Sequence, residues 1–221
     1  MKVFKNANEF NKYINAKKLT SIGYGSEGVF YQSLVDGMGY KILYPEIIDD
    51  YKPNNIIVAS EVETNGFIFP IELFVVKGKL IGYKTSIIKQ NLLDVSKFSI
   101  YDFDFKKFKE AYKKFKIEVA NLSRQKIEIY DLFNNIIYDG ENIYAIDTCM
   151  YERSNEKKLL RINIDNLEWS ITLELENLAV FSGIEVQKRN ELELSVIEYI
   201  NYLERIVRKE KIKILKEEGG Y

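Results

Sequence analysis

The stretch LTSIGYGSEGVFYQSLVDGMGYKILYP, residues 19–45, decides how this chain is read. It is strand-like on both sides of a glycine cluster, and Asp36-Gly37 followed by Gly39 marks a hairpin turn between two β-rich runs. Pro45 stops the second run. Gly23, Gly25 and Gly28 stand in a G-x-G-x-x-G pattern, with Ser26 and Glu27 between the last two. Glycines at this spacing let a backbone turn tightly and approach a phosphate closely. A dinucleotide-binding crossover would need a helix directly after the last glycine, but VFYQSLV is a strand pattern. The context therefore favours a phosphate-covering hairpin, beside the plainer reading of a glycine-rich turn. Lys41 follows in GYKILYP. On a mostly buried strand a lysine needs an anionic partner, whereas at a strand edge water suffices.

Working outward, residues 8–18 predict a short helix with Phe10, Tyr13 and Ile14 on one side. Residues 54–65 (NNIIVASEVETN) predict a further helix, against which their β-branched residues compete. Strands over 68–76 and 79–88 surround a turn at Lys77-Gly78. From about residue 91 the pattern turns helical. Phe108, Tyr112, Phe115, Val119 and Leu122 recur at steps of four and three, one apolar stripe on a helix over 105–123. Two short β-rich runs, IEIY and NIYAID, follow with NNIIYDGE between them. Helices are then expected over 164–179, with Trp169 in the core, and over about 191–216, whose apolar face runs from Leu192 to Val207. Strands first and helices afterwards predict an α+β chain. Its β-rich N-terminal part covers residues 1–90, antiparallel in character, and its helical part 91–221, joined near 88–91.

Composition narrows the chemistry. The 221 residues carry 32 basic and 33 acidic side chains, for a net charge of −1. A nucleic-acid or membrane-surface partner would call for a basic excess, so neither is expected. The single cysteine, Cys149, rules out an internal disulfide framework and reads as a small buried filler in a reducing, cytoplasmic setting. The N-terminus lacks the apolar stretch of a signal peptide. There is no histidine at all, which removes Ser-His-Asp and Cys-His catalysis and every His-ligated metal site. Any reaction must run on carboxylates, lysine, amides, hydroxyls and bound ions.

Residues 130–147, YDLFNNIIYDGENIYAID, supply such groups. Asp131 and Asn135 lie in a loop after a short strand, and Asp147 ends the next strand. Taken singly, each is an ordinary turn or cap residue. Together they suit two oxygen ligands for Mg²⁺ and one group that orients a hydroxyl.

In this order the GYGSEG loop, Lys41, YDLFNN and the IDT of residues 146–148 resemble the protein-kinase superfamily, including its small bacterial and aminoglycoside-phosphotransferase-like relatives. The likeness spans residues 18–150. It implies a two-lobed fold and an ATP- and Mg²⁺-dependent phosphotransferase. Gly23, Gly25, Ser26 and Gly28 would cover the phosphates, and Lys41 would bind them. Ile88 and Lys89 would meet the adenine through their backbone. Asp131 would orient the attacking hydroxyl, while Asn135 and Asp147 would hold Mg²⁺. Lys41 would take Glu61, or alternatively Glu63, as its carboxylate partner. Tyr130 stands where the family has histidine, and three residues rather than four separate Asp131 from Asn135, so Asn134 is the alternative ligand. Thr148 and Cys149 replace Phe and Gly after Asp147. The implied acceptor is a protein Ser/Thr hydroxyl or a small-molecule hydroxyl. A pseudokinase, a nucleotide-binding regulatory module and an adenylyl or glutamyl transferase remain alternatives.

Overall fold

The computed structural model describes residues 1–218. They form a mixed α+β chain in two compact units, Met1–Ile87 with Asp147–Arg153, and Ile88–Ile146 with the chain from Ser154 onward.

The first unit is built on one six-stranded sheet. Its strands are β1 (Lys2–Phe4), β2 (Leu19–Tyr24), β3 (Gly28–Ser33), β4 (Gly39–Leu43), β5 (Glu72–Val76) and β6 (Lys79–Thr85), in the order β1-β5-β6-β4-β3-β2. All pairings are antiparallel except that of β1 with β5, which is parallel. The sequence reading placed no strand before the first helix. Three residues are too few to show a period, and the parallel neighbour is reached only after the chain has passed through α1 (Ala7–Asn15) and β2, β3 and β4. Asn6 caps α1 by accepting from the Glu9 N–H at 3.0 Å.

Alternation along β4 divides the unit into two cores. Tyr40 and Ile42 face Phe4, Phe10, Tyr13 and Phe74, with Tyr40 stacked on Phe74 at 5.8 Å. Leu43 faces the other way, with Leu73, Leu80, Tyr83 and Cys149. At the β3–β4 turn, Gly37 is left-handed and the Asp36 carboxylate accepts from the Tyr40 hydroxyl, Lys17 and Lys84. Lys77 and Gly78 are both left-handed, as a two-residue type I′ hairpin between β5 and β6 requires. The expected helix over 54–65 does not form. Pro53–Asn55 and Ala59–Glu61 are single 3-10 turns, because the β-branched run Ile56, Ile57, Val58 opposes a continuous helix.

In the second unit α2 (Phe105–Arg124) buries the stripe Phe108, Tyr112, Phe115, Val119 and Leu122. Its cap is Asp104, which accepts from the Lys107 N–H. A two-residue strand β7 (Ile127–Glu128) and a hairpin of β8 (Ile136–Tyr138) with β9 (Ile143–Ala145) follow. The strand β8 falls inside the run expected as a connection, where Asn and Asp-Gly flanks mask it. Next come α3 (Leu159–Phe181) and α4 (Val196–Glu218), both packed on α2. Ser195 and Glu198 form a reciprocal capping box, so α4 starts at Val196 and Leu192 lies ahead of it. Trp169 is not in the core. It is 54% exposed, because α3 buries Asn163, Leu167, Ser170, Glu174 and Leu178, and residue 169 lies off that face; its ring packs edge-to-face with Phe133. Among the described residues no helix is long and apolar enough to cross a membrane.

The buried face of α3 is a polar clamp. Asn163 accepts from the Ile129 N–H at 2.9 Å and donates to the Ile127 carbonyl and the Ser123 hydroxyl. Asn166 donates to the Ile129 carbonyl. The backbone leading into residues 130–135 is therefore satisfied by side chains rather than by strand partners alone. Replacing Asn163 by Leu strands two buried backbone groups and is expected to lower stability by about 2–4 kcal/mol. A urea titration read by circular dichroism tests this; a loss below ~0.5 kcal/mol would show that the clamp is dispensable.

Candidate functional site

The glycine motif forms the β2–β3 turn. Its chain is pinned twice, by the Gly25 N–H donating to Gly28 O at 3.0 Å and the Tyr44 N–H donating to Glu27 O at 2.9 Å. The three glycines are not equivalent. A Cβ on Gly28 would fall 2.2 Å from the Ile42 carbonyl oxygen on β4, so this glycine is demanded by strand packing. A Cβ on Gly25 would meet nothing closer than 3.9 Å, and Gly23 is likewise open. Ser26 sits exposed in the turn.

Lys41 sits at the centre of β4, opposite Phe30 of β3 and Tyr83 of β6, and is only 7% exposed. Its ammonium is 2.7 Å from the Glu27 carboxylate and 2.5 Å from that of Asp147, 106 positions later. The Tyr83 hydroxyl donates to the other Asp147 oxygen at 2.8 Å. Burial pulls the Lys41 pKa down, but Asp147 and Glu27 outweigh it and hold it above the ordinary lysine value. Burial raises the Tyr51 phenol, and its hydrogen bond to Glu27 adds to this. Cys149 is buried beside the group, and burial with the nearby Asp147 charge pushes its thiol well up, so it is a packed thiol rather than a nucleophile.

Asp147 itself is left-handed (φ 57°, ψ 45°), which Asp tolerates better than most residues. The chain after it turns through Thr148–Met150, where the Thr148 hydroxyl donates to the Ile68 carbonyl.

The expected partner of Lys41 is wrong. Glu61 is exposed, its carboxylate 3.8 Å from Arg153, and Glu63 is exposed as well. Without a helix over 54–65 there is no face to carry either glutamate to Lys41. The glutamate of the glycine turn takes that place. Sequence reasoning missed Glu27 because a charged residue in a glycine turn has the signature of a solvated tip.

In the second unit, residues 131–135 form a tight turn, with the Asn135 N–H donating to Leu132 O. Asp131 is exposed and left-handed, and so is Asn134. The Asn135 amide nitrogen donates to the Asp131 carbonyl at 2.8 Å, so of its side-chain atoms only the oxygen could serve as a ligand. The Asn134 N–H donates to the buried Glu174 carboxylate at 2.8 Å. Burial raises the Glu174 pKa above the ordinary glutamate value, partly offset by that N–H. Glu174 was also missed. Its signal was legible as a polar residue on the apolar face of α3, eleven positions after Asn163. Ile88 is half-buried and Lys89 exposed, both in irregular chain at the start of this unit.

Among the described residues no group of three or more Asp, Glu, Cys or His forms a metal cage. A Mg²⁺ ion needs none, since it is commonly held by one or two carboxylates, waters and substrate phosphates. An Asp beside a cationic lysine and a glycine turn suits that mode. No known family model matches the chain, and no curated protein matches it in sequence.

Two outcomes follow from this geometry. Gly28→Ala is expected to cost about 1–3 kcal/mol of stability and Gly25→Ala less than ~0.5, as read by chemical denaturation. Equal costs would contradict the packing role of Gly28. For Glu174, a raised folded pKa means that the proton stabilises the fold. That stability is complete below the unfolded value, 4.5, and lost as pH rises through the folded pKa. The difference in Tm between Glu174→Gln and the unaltered chain should therefore shift in favour of the variant between pH 4.5 and 7; a constant difference would exclude the effect.

Proposed function

We propose that the chain is an ATP- and Mg²⁺-dependent phosphotransferase with a two-lobed, protein-kinase-like fold, acting on a protein Ser/Thr hydroxyl. The observation that carries this reading is the pairing of Lys41 with Asp147. A lysine on the strand after a glycine hairpin, joined to an aspartate just beyond a later β-hairpin, is the charge arrangement that phosphoryl transfer uses to hold nucleotide phosphates and their metal.

In this reading the first unit is the nucleotide lobe. Lys41 neutralises phosphate oxygens, the open backbone at Gly25 and Ser26 covers them, and Asp147 presents a carboxylate to Mg²⁺. Mg²⁺ would supply charge neutralisation of the transferring group. Ile88 and Lys89 offer backbone groups to the adenine. Asn135 offers a carbonyl oxygen to the metal. The exposed Asp131 carboxylate accepts a hydrogen bond from the acceptor hydroxyl and orients it. Such a reaction needs positioning and charge more than covalent chemistry, which matches a chain without histidine. A small-molecule hydroxyl would serve the same chemistry.

One observation favours a second reading, a nucleotide-binding pseudokinase. The 131–135 turn is one residue short, and the Asn135 amide is spent on the Asp131 backbone.

A thermal-shift titration separates these readings. Saturating ATP with Mg²⁺ should raise Tm by about 5–10 °C at a hundredfold excess over Kd, and Asp147→Asn should remove the Mg²⁺-dependent part. No response to nucleotide would sink both readings. Intact-mass measurement after incubation with ATP and a general protein substrate should then find a phosphate-sized increment that Asp131→Ala abolishes without loss of binding. Binding without transfer would select the pseudokinase, and a nucleotide-sized increment would select adenylyl transfer.

A further inference from the structure

We propose that Glu27 is an internal anion that stands on Lys41 in place of a ligand phosphate, so that a nucleotide binds by displacing it. This deepens the phosphotransferase reading and rests on it.

Three features distinguish Glu27 from Asp147, the other carboxylate on Lys41. First, it belongs to the glycine turn, the very segment that would close over phosphates, and its carboxylate is 2.7 Å from the ammonium. Second, its backbone is fixed by the Tyr44 N–H while its carboxylate, bonded to Lys41 and Tyr51, stands one methylene further out than that of an aspartate, so it can swing outward without moving the strand. Third, the shorter Asp147 side chain springs from a left-handed backbone that leads directly into the buried turn at Thr148 and Cys149, which fixes its position. Asp147 stays; Glu27 is the group that can leave.

Charge makes the displacement necessary. One ammonium and two carboxylates sum to −1, so an incoming polyphosphate meets a site that is already overcompensated. Like charges at contact distance repel, and the phosphate gains Lys41 only when Glu27 gives it up. The exchange replaces one charge-assisted hydrogen bond with another, at the cost of freeing a carboxylate into water. A metal-chelated triphosphate suffers less of this repulsion than a free one, so the site selects for the metal complex.

Isothermal titration of the full chain with Mg-ATP tests the idea, using the unaltered protein, Glu27→Gln, and Lys41→Met in both backgrounds. Glu27→Gln keeps the shape of the side chain and removes its charge. It should bind Mg-ATP about tenfold more tightly, as expected if Lys41 is free of Glu27 about one time in ten. Lys41→Met should abolish the gain. If the unaltered chain binds Mg-ATP and Glu27→Gln binds it equally or more weakly, the displacement idea falls while the phosphotransferase reading stands; Glu27 then orients Lys41 instead. If neither protein binds Mg-ATP, both fall.

Discussion

The first unit depends on a single buried cation. An ammonium placed in the middle of a sheet, with strands on both sides, is tolerated only if anions come to it. Lys41 obtains two of them, from the β2–β3 turn and from the left-handed residue that begins the 147–153 segment. Much of the local structure serves that meeting. Gly28 lets β3 approach β4 closely enough for the turn to reach the lysine, and Tyr83, directly across the ladder from Lys41, fixes the far oxygen of Asp147. Lys41 itself is almost wholly withdrawn from water.

In the second unit the organising element is α3, and its means are different. A row of polar side chains on a buried helix face is an expensive way to pack, because each must find a partner. Here each finds backbone. Asn163 and Asn166 hold residues 127–129, and Glu174 holds the Asn134 amide. The loop with Asp131 and Asn135 is thus held from beneath by a helix. That frees it from the usual demand that a loop satisfy itself, and it explains how two left-handed non-glycine residues persist within four positions.

What was legible in the sequence was what is local. The α2 stripe, the turns at Asp36-Gly37 and Lys77-Gly78, and the strand character on both sides of the glycines each rest on a period or a turn preference that a short window contains. The α+β class follows from their order. The failures have a common cause. Glu27 meeting Lys41, Trp169 facing outward and β1 joining β5 in parallel are decided by distant partners, and no window includes both sides. The helix expected over 54–65 failed because tertiary burial of Ile56 and Ile57 was available to a chain whose own propensity for helix was poor. The candidate site was half visible. Lys41, Asp131 and Asp147 are readable from the sequence, whereas Glu27 and Glu174 are not, because which carboxylate serves the lysine or the loop is a question of geometry.

The route of the chain carries a consequence for how the protein is made. The first unit is not finished at Ile87; it waits for residues 147–153, which leave the ribosome only after some sixty residues of the other unit. Until then Lys41 has a single counter-ion, and the core around Leu43 and Tyr83 lacks Cys149. Pairing across 106 positions closes a long loop, which slows folding more than it costs stability. The first unit therefore matures late in synthesis, after its six strands have already emerged.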